Sequence, residues 1–286
     1  MEKEVKIALF PPASPPILEK YKKGLNILKE NQIPFKSFVD FSDTSPAFKA
    51  FLFYELITSG EYFFIWAVRG GFGSIKLIPY LEEIFAENIK VNIYANLIGF
   101  SDITALHLYF YKKFGKKGLH APMIVDLPDL SEVAFKKLLN TLFGNENIIL
   151  KGKSYQEGEA EGILIGGNLI TLASLCGTPY LPINRPCILM IEETNEKKYR
   201  LERAFLQVIL TFGIKNIKGI VIGDLGEVNP LEFLKSVEEF LPENIPIGHT
   251  FSFGHIRNNF PLIIGEKAYL KIKDREAELF QKNLGF

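Results

Sequence analysis

The side chains able to do covalent chemistry in this 286-residue chain fall in a few short stretches. NLIGFSDIT (96–104) is an apolar run that stops at Gly99 and Phe100 and then sets Ser101 and Asp102 before a helix-like segment. On local grounds Ser101 reads first as a helix cap, because serine accepts well from the free N–H groups of a first turn and DITALHLYFYKKFG has helical length and leucine spacing. The position also suits a nucleophile. A serine on a sharp strand-to-helix turn points its hydroxyl out of the sheet, beside backbone N–H groups that can stabilise an oxyanion. Ile103 occupies the place of the last glycine of a G-x-S-x-G elbow, so other residues must decide.

RGGFGS (69–74) likewise follows an apolar run and opens a helix. It is either an anion site built from backbone N–H groups or a tight turn that needs glycine for its φ values. Glu192 ends the apolar run CILMIE. As a buried carboxylate it must be paired or hydrogen-bonded; locally, a solvated strand end beside Glu193 and Glu196 is the simpler reading. Of the four histidines, His107 lies in an apolar helix as a packed residue, and His120 in GLHAPM belongs to a loop or pocket wall. His249 and His255 flank TFSFG, and either suits a general base by composition. There is no Cys/His cluster, H-E-x-x-H or Ca²⁺ loop, so metal catalysis has little support. Serine, histidine and carboxylate on separate elements are compatible with nucleophilic catalysis without establishing it.

The elements that must position these residues read as strands alternating with helices. VKIALF, PFKSFV (34–39), YFFIWAV (62–68) and NLIGF each precede a helical segment. This spacing predicts βαβ units, hence a doubly wound, mostly parallel sheet of the α/β class. RGGFGS and GFSD then fall at carboxyl ends of strands, where such sheets gather function. From about 125 to 160 the pattern loosens into one helix and a polar, Gly-containing stretch. The boundary is therefore expected near residue 150, giving an N-terminal domain (1–150) with Ser101 and a C-terminal domain (151–286) with Glu192 and the later histidines.

Composition excludes several classes of function. Apolar residues make up 47% and charged residues 23%, which is globular rather than disordered. Lys plus Arg and Asp plus Glu number 33 each, so no global field draws the chain to nucleic acid or anionic lipid. Neither a secretory signal nor a transmembrane run is evident, and Cys176 and Cys187 read as reduced thiols. A cytoplasmic location is expected.

Several blocks, in order, resemble the LD-carboxypeptidase family of serine peptidases, whose relatives include microcin C immunity peptidases. They are FPPASPP, VRGGFGSIKLIPYLE, LIGFSDITALHLYF, LHAPM, GILIGGNLITLASLCGTPYLP, ILMIEETNEKKYRLERAF, IKGIVIGDL and FSFGH. The resemblance implies a C-terminal domain of β-barrel character and a homodimer; no cofactor is expected. It also implies a Ser–His–Glu triad of Ser101, His255 and Glu192, with oxyanion-hole N–H groups at Gly70, Gly71 and Asp102. His249 lies outside the FGH motif. Arg69 is a candidate for the terminal carboxylate of a murein peptide, or else a structural contact. Ala121 stands where the family often has glycine, and EETNE replaces EDxGE; neither change removes a triad position. The expected reaction is release of terminal D-alanine from murein tetrapeptide. Two alternatives stay open: an amidase acting on a peptidyl or aminoacyl nucleotide, and a non-catalytic small-ligand binding protein using the RGGFGS turn.

Overall fold

The computed structural model describes residues 6–39, 45–88, 90–144, 146–183 and 185–283. The chain divides into two compact units, Met1–Leu130 and Ser131–Phe286.

In the first unit β1 (Ile7–Phe10), β2 (Phe35–Ser37), β3 (Phe64–Ala67), β4 (Asn96–Gly99) and β5 (Gly118–His120) lie in the order β2-β1-β3-β4-β5, all parallel. IALF and FIWA are buried at every residue, as strands covered on both faces must be. Trp66 at the centre still needs a partner for its ring N–H, which donates to the Pro122 carbonyl at 2.8 Å. Helices α1 (Leu18–Glu30), α2 (Pro46–Thr58), α3 (Leu77–Glu87) and α4 (Thr104–Phe114) alternate with these strands. The chain runs outward from β1 to β2 and then returns to the other side as β3. That reversal is a topological switch point, where the carboxyl ends of two strands diverge and leave a crevice. FPPASPP follows β1 there, and RGGFGS follows β3.

The second unit opens with α5 (Glu132–Phe143), followed by β6 (Ile148–Gln156), β7 (Gly158–Asn168), α6 (Leu169–Ser174), β8 (Cys187–Glu192), α7 (Lys198–Phe212) and β9 (Ile217–Ile222). Then come α8 (Pro230–Ser236), β10 (Ile247–His249), β11 (Leu262–Ile264), β12 (Lys267–Lys273) and β13 (Glu276–Gln281). Seven strands close a barrel in the order β10-β6-β13-β12-β7-β8-β9. The run β7-β8-β9-β10 is parallel and β6, β12 and β13 join antiparallel. The β12–β13 turn consists of Asp274 and Arg275 at φ 52° and 70°, the twist that a two-residue hairpin loop requires.

Two features differ from the sequence reading. The units meet at 130/131 rather than near 150, because α5 is fastened within the second unit: Ser131 N–H donates to the Arg257 carbonyl at 3.0 Å and Asn283 Nδ2 to the Thr141 carbonyl at 3.1 Å. The polar, Gly-containing stretch before residue 160, where the sequence pattern loosens, forms β6 and the start of β7. Several of its outward side chains are charges opposite charges, Lys151 facing Glu278, Lys153 facing Glu276 and Glu159 bonded to Lys271.

Candidate active site

The Ser101 turn belongs to the first unit. β4 ends at Gly99, a short 3-10 turn covers Ser101–Ile103, and α4 begins at Thr104. Ser101 takes φ 61°, a left-handed conformation that costs a non-glycine residue about 1–3 kcal/mol and that marks serines held on a sharp elbow. Phe100 and Ile103, not Ser101, hold the N-cap positions of the 3-10 turn and of α4. Ser101 is the first residue within the 3-10 turn, and its side chain stands half-exposed beside the glycine turn.

That glycine turn is held against Ser101 by Asp102. The Asp102 carboxylate accepts from the Ser74 N–H at 2.7 Å, and the Ser74 hydroxyl donates to the Asp102 carbonyl at 2.5 Å. Burial pushes the Asp102 carboxyl up, while the N–H groups of Ser74 and Gly73 oppose the rise. Gly70 is where the two turns come closest. A Cβ there would lie 3.1 Å from Ser101 Cβ and 3.2 Å from its Oγ, so a side chain at 70 would crowd the hydroxyl. From the β1 side, Ser14 N–H donates to the Gly70 carbonyl at 3.2 Å and Ser14 Oγ accepts from the Phe72 N–H at 3.1 Å. Arg69 Nη1 donates to the Pro15 carbonyl at 2.7 Å, and buried Lys49 donates to the Ala13 carbonyl at 2.8 Å. The turns after β1, β3 and β4 are thus one bonded assembly.

The second unit carries a histidine–carboxylate pair. Glu192 is the last residue of β8 and fully buried, and its Oε2 accepts from His255 Nδ1 at 2.8 Å. The His255 side chain is 25% exposed, which leaves the ring open to a reactant. The loop carrying it is anchored by buried Phe251 and Phe253: Phe251 N–H donates to the Ile222 carbonyl and Asp224 N–H to the Phe253 carbonyl. Gly254, at φ 112°, lets this loop approach β8, since a Cβ would sit 3.1 Å from Glu192 Cβ.

The neighbouring candidates are occupied elsewhere. Glu193 accepts from Asn168 Nδ2 at 2.8 Å and from the Ile170 N–H at 2.9 Å, binding the start of α6; burial first, and Glu192 more weakly, push its carboxyl up. Glu196 pairs with Arg200 on the surface at 3.3 Å. His249 Nδ1 meets Thr250 Oγ1 at 2.8 Å, and burial followed by the charge of Lys153 holds its ring below the usual value. His107 is packed and hydrogen-bonded, as its apolar helix implied, while His120 lies fully buried at the end of β5 rather than in a loop. Cys187 is buried and Cys176 half-buried, both as free thiols. No group of three or more His, Cys, Asp or Glu among the described residues is arranged to hold a metal ion.

One acidic residue beside the pair escaped the sequence reading. Asp224 follows β9 and accepts from the Gly226 N–H; burial and the nearby Glu192 push its carboxyl up, and His255 draws it down. The signal was present, because IKGIVIGD ends an apolar run with an acid in the same way as CILMIE.

The N-terminal domain model of the LD-carboxypeptidases matches residues 7–121, and their C-terminal domain model matches residues 161–270. The chain belongs to the LD-carboxypeptidase family. It is 31% identical to a putative carboxypeptidase, RP402, of Rickettsia prowazekii over 76% of the chain and 71% of that relative. It is 28% identical to the murein tetrapeptide carboxypeptidase of Pseudomonas aeruginosa, covering 72% of each. The crystal structure of muramoyltetrapeptide carboxypeptidase from Oxalobacter formigenes shares the fold, with a TM-score of 0.85 at 23% identity over 99% of this chain and 100% of that one. The chain is a peptidase of this family, and no helix among its described residues is long and apolar enough to cross a membrane.

Proposed function

We propose that this peptidase is a serine carboxypeptidase that hydrolyses an L,D-amide bond and releases the terminal D-alanine of a murein tetrapeptide. The observation carrying the chemistry is the buried Glu192 carboxylate at 2.8 Å from His255 Nδ1. A carboxylate there fixes the imidazole with its proton on Nδ1, leaving Nε2 as a base, and stabilises the imidazolium formed later. Ser101, strained at its elbow, supplies the hydroxyl. Its Oγ attacks the scissile carbonyl carbon as His255 Nε2 takes the proton. The oxyanion is met by the N–H groups of Gly70, Gly71 and Asp102. His255 returns the proton to the leaving amine, and a water activated by the same ring hydrolyses the acyl-enzyme.

The terminal carboxylate must also be held, and we assign this to Arg69. Its Nη1 steadies Pro15, and its remaining guanidinium N–H groups suit a carboxylate. Handedness cannot come from Ser, His and Glu, which would attack either enantiomer once it was placed. It comes from fixing the carboxylate so that the wrong enantiomer misplaces its carbonyl, and a misplacement of about 1 Å costs on the order of 10²-fold. The name of the Pseudomonas relative supports the murein substrate. We infer a homodimer, as the family resemblance implies, and keep the cytoplasmic location expected from the sequence. The test is mass spectrometry of two tetrapeptides ending in D-Ala and L-Ala. Loss of one alanine from the D form with little from the L form is expected. Comparable rates would refute the L,D assignment, and cleavage of neither with Ser101 still reactive would favour the nucleotide-amidase reading.

A further inference from the structure

His107 is a buried titratable residue to which the proposed reaction gives no role. It lies on α4, and its Nε2 reaches back eight residues to the Gly99 carbonyl at 2.9 Å. That carbonyl is the last of β4, two residues before Ser101. It is the last rung of the β4–β5 ladder, where it also accepts from the Ala121 N–H at a long 3.3 Å. A carbonyl can only accept, so Nε2 carries the proton and Nδ1 presents a bare lone pair. Nδ1 has no hydrogen-bond partner. It faces Gly118, where a Cβ would stand 2.0 Å away, so only glycine at 118 leaves room for the ring. Burial holds the imidazole pKa down to about 4, which keeps it neutral at working pH.

A leucine or phenylalanine would fill this place without leaving a buried acceptor unsatisfied. A polar ring retained at such a cost needs a reason beyond packing. We propose that His107 is a positioning residue for the nucleophile: its Nε2–H fixes the Gly99 carbonyl, and with it the peptide plane from which the chain turns into the left-handed Ser101. Without that bond the Gly99–Phe100 peptide is held by the long ladder bond from Ala121 and rocks more easily, and Ser101 Oγ drifts from the alignment the reaction needs. This inference rests on Ser101 being the nucleophile.

The experiment compares His107→Leu, His107→Gln and wild type by kcat and KM on tetrapeptide, by the rate at which a fluorophosphonate labels Ser101, and by Tm. His107→Leu is expected to lower kcat and the labelling rate together, by about 10- to 100-fold, with KM little changed and Tm not reduced in proportion. His107→Gln, which keeps an N–H donor, should recover at least part of the loss. A folded His107→Leu protein that labels and turns over at the wild-type rate overturns the proposal. Failure of wild type itself to label at Ser101 refutes the nucleophile assignment instead. A measurement free of folding risk is the ¹⁵N spectrum of the wild-type imidazoles near pH 6. A neutral ring protonated at Nε2 is expected for His107; a charged ring or the Nδ1–H tautomer overturns the proposal.

Discussion

Replacing Glu192 by glutamine removes one negative charge and little else in shape. The carboxylate oxygen lies 2.8 Å from His255 Nδ1 and the side chain is fully buried, so solvent screens the pair weakly. With charge centres about 4 Å apart and an effective dielectric constant near 20, an imidazolium beside Glu192 is favoured by about 4 kcal/mol. That stabilisation appears only when the ring is charged, as it becomes in the transition state. Its loss should therefore lower kcat by about 10³-fold with KM little altered. A second effect works in the same direction: the glutamine amide can turn its N–H toward Nδ1 and force the proton onto Nε2, the nitrogen that must be bare. In the other orientation, with the amide oxygen toward Nδ1, stability should fall by about 1–3 kcal/mol, because the N–H2 then takes the place of Glu192 Oε1, which has no hydrogen-bond partner, and becomes a buried unsatisfied donor. The assay is steady-state cleavage of the tetrapeptide by variants of matched folded fraction, with Glu193→Gln and Glu196→Gln alongside. Loss of less than tenfold at Glu192, or a larger loss at either neighbour, would refute the assignment.

Gly70→Ala should lower kcat by about tenfold, because its methyl must push Ser101 Oγ aside by a few tenths of an ångström from a 3.2 Å approach; an unchanged kcat would mean that the glycine turn does not border the reacting atoms. Stability should fall with pH between about 6.5 and 4. The unfolded chain takes up a proton on His107 near its ordinary value, whereas the folded protein resists until about 4, so the unfolded state binds more protons through that window. The loss reaches about 3 kcal/mol at the acid end. Denaturation midpoints across that range should show the slope in wild type and a shallower one in His107→Leu, and equal slopes would refute a neutral buried ring.

Much of this was legible in the chain because strand ends carry signals that need no tertiary information. An apolar run closed by glycine, serine or an acid gives both the parallel strand and the place where a side chain leaves the sheet, which singles out Ser101, Gly70 and Glu192 as candidates; the roles proposed for them come from the family resemblance. The choice of Glu192 over Glu193 follows from alternation along a strand, and the structure turns Glu193 toward α6 instead. The histidine was not decided by composition: His249 and His255 flank the same four residues plus glycine, and only the packing of Phe251 and Phe253 aims one of them at Glu192. The barrel came from the resemblance and not from the strand pattern, for a different reason. β6 pairs with β13 and β7 with β12 across long sequence separations, and their outward Lys and Glu dilute the apolar signal. Residue 130 could not be read as the boundary, since what ties α5 to the second unit is hydrogen bonding to residues 257 and 283.

The central claim is that Ser101 is a nucleophile activated by the His255–Glu192 pair. It is tested most directly by treating the whole protein with a fluorophosphonate and locating the adduct by peptide mass spectrometry, in wild type and in His255→Ala. A single adduct on Ser101, formed at least about 10³-fold more slowly without His255, is the expected result. An adduct on another serine, or a Ser101 rate indifferent to His255, would contradict it.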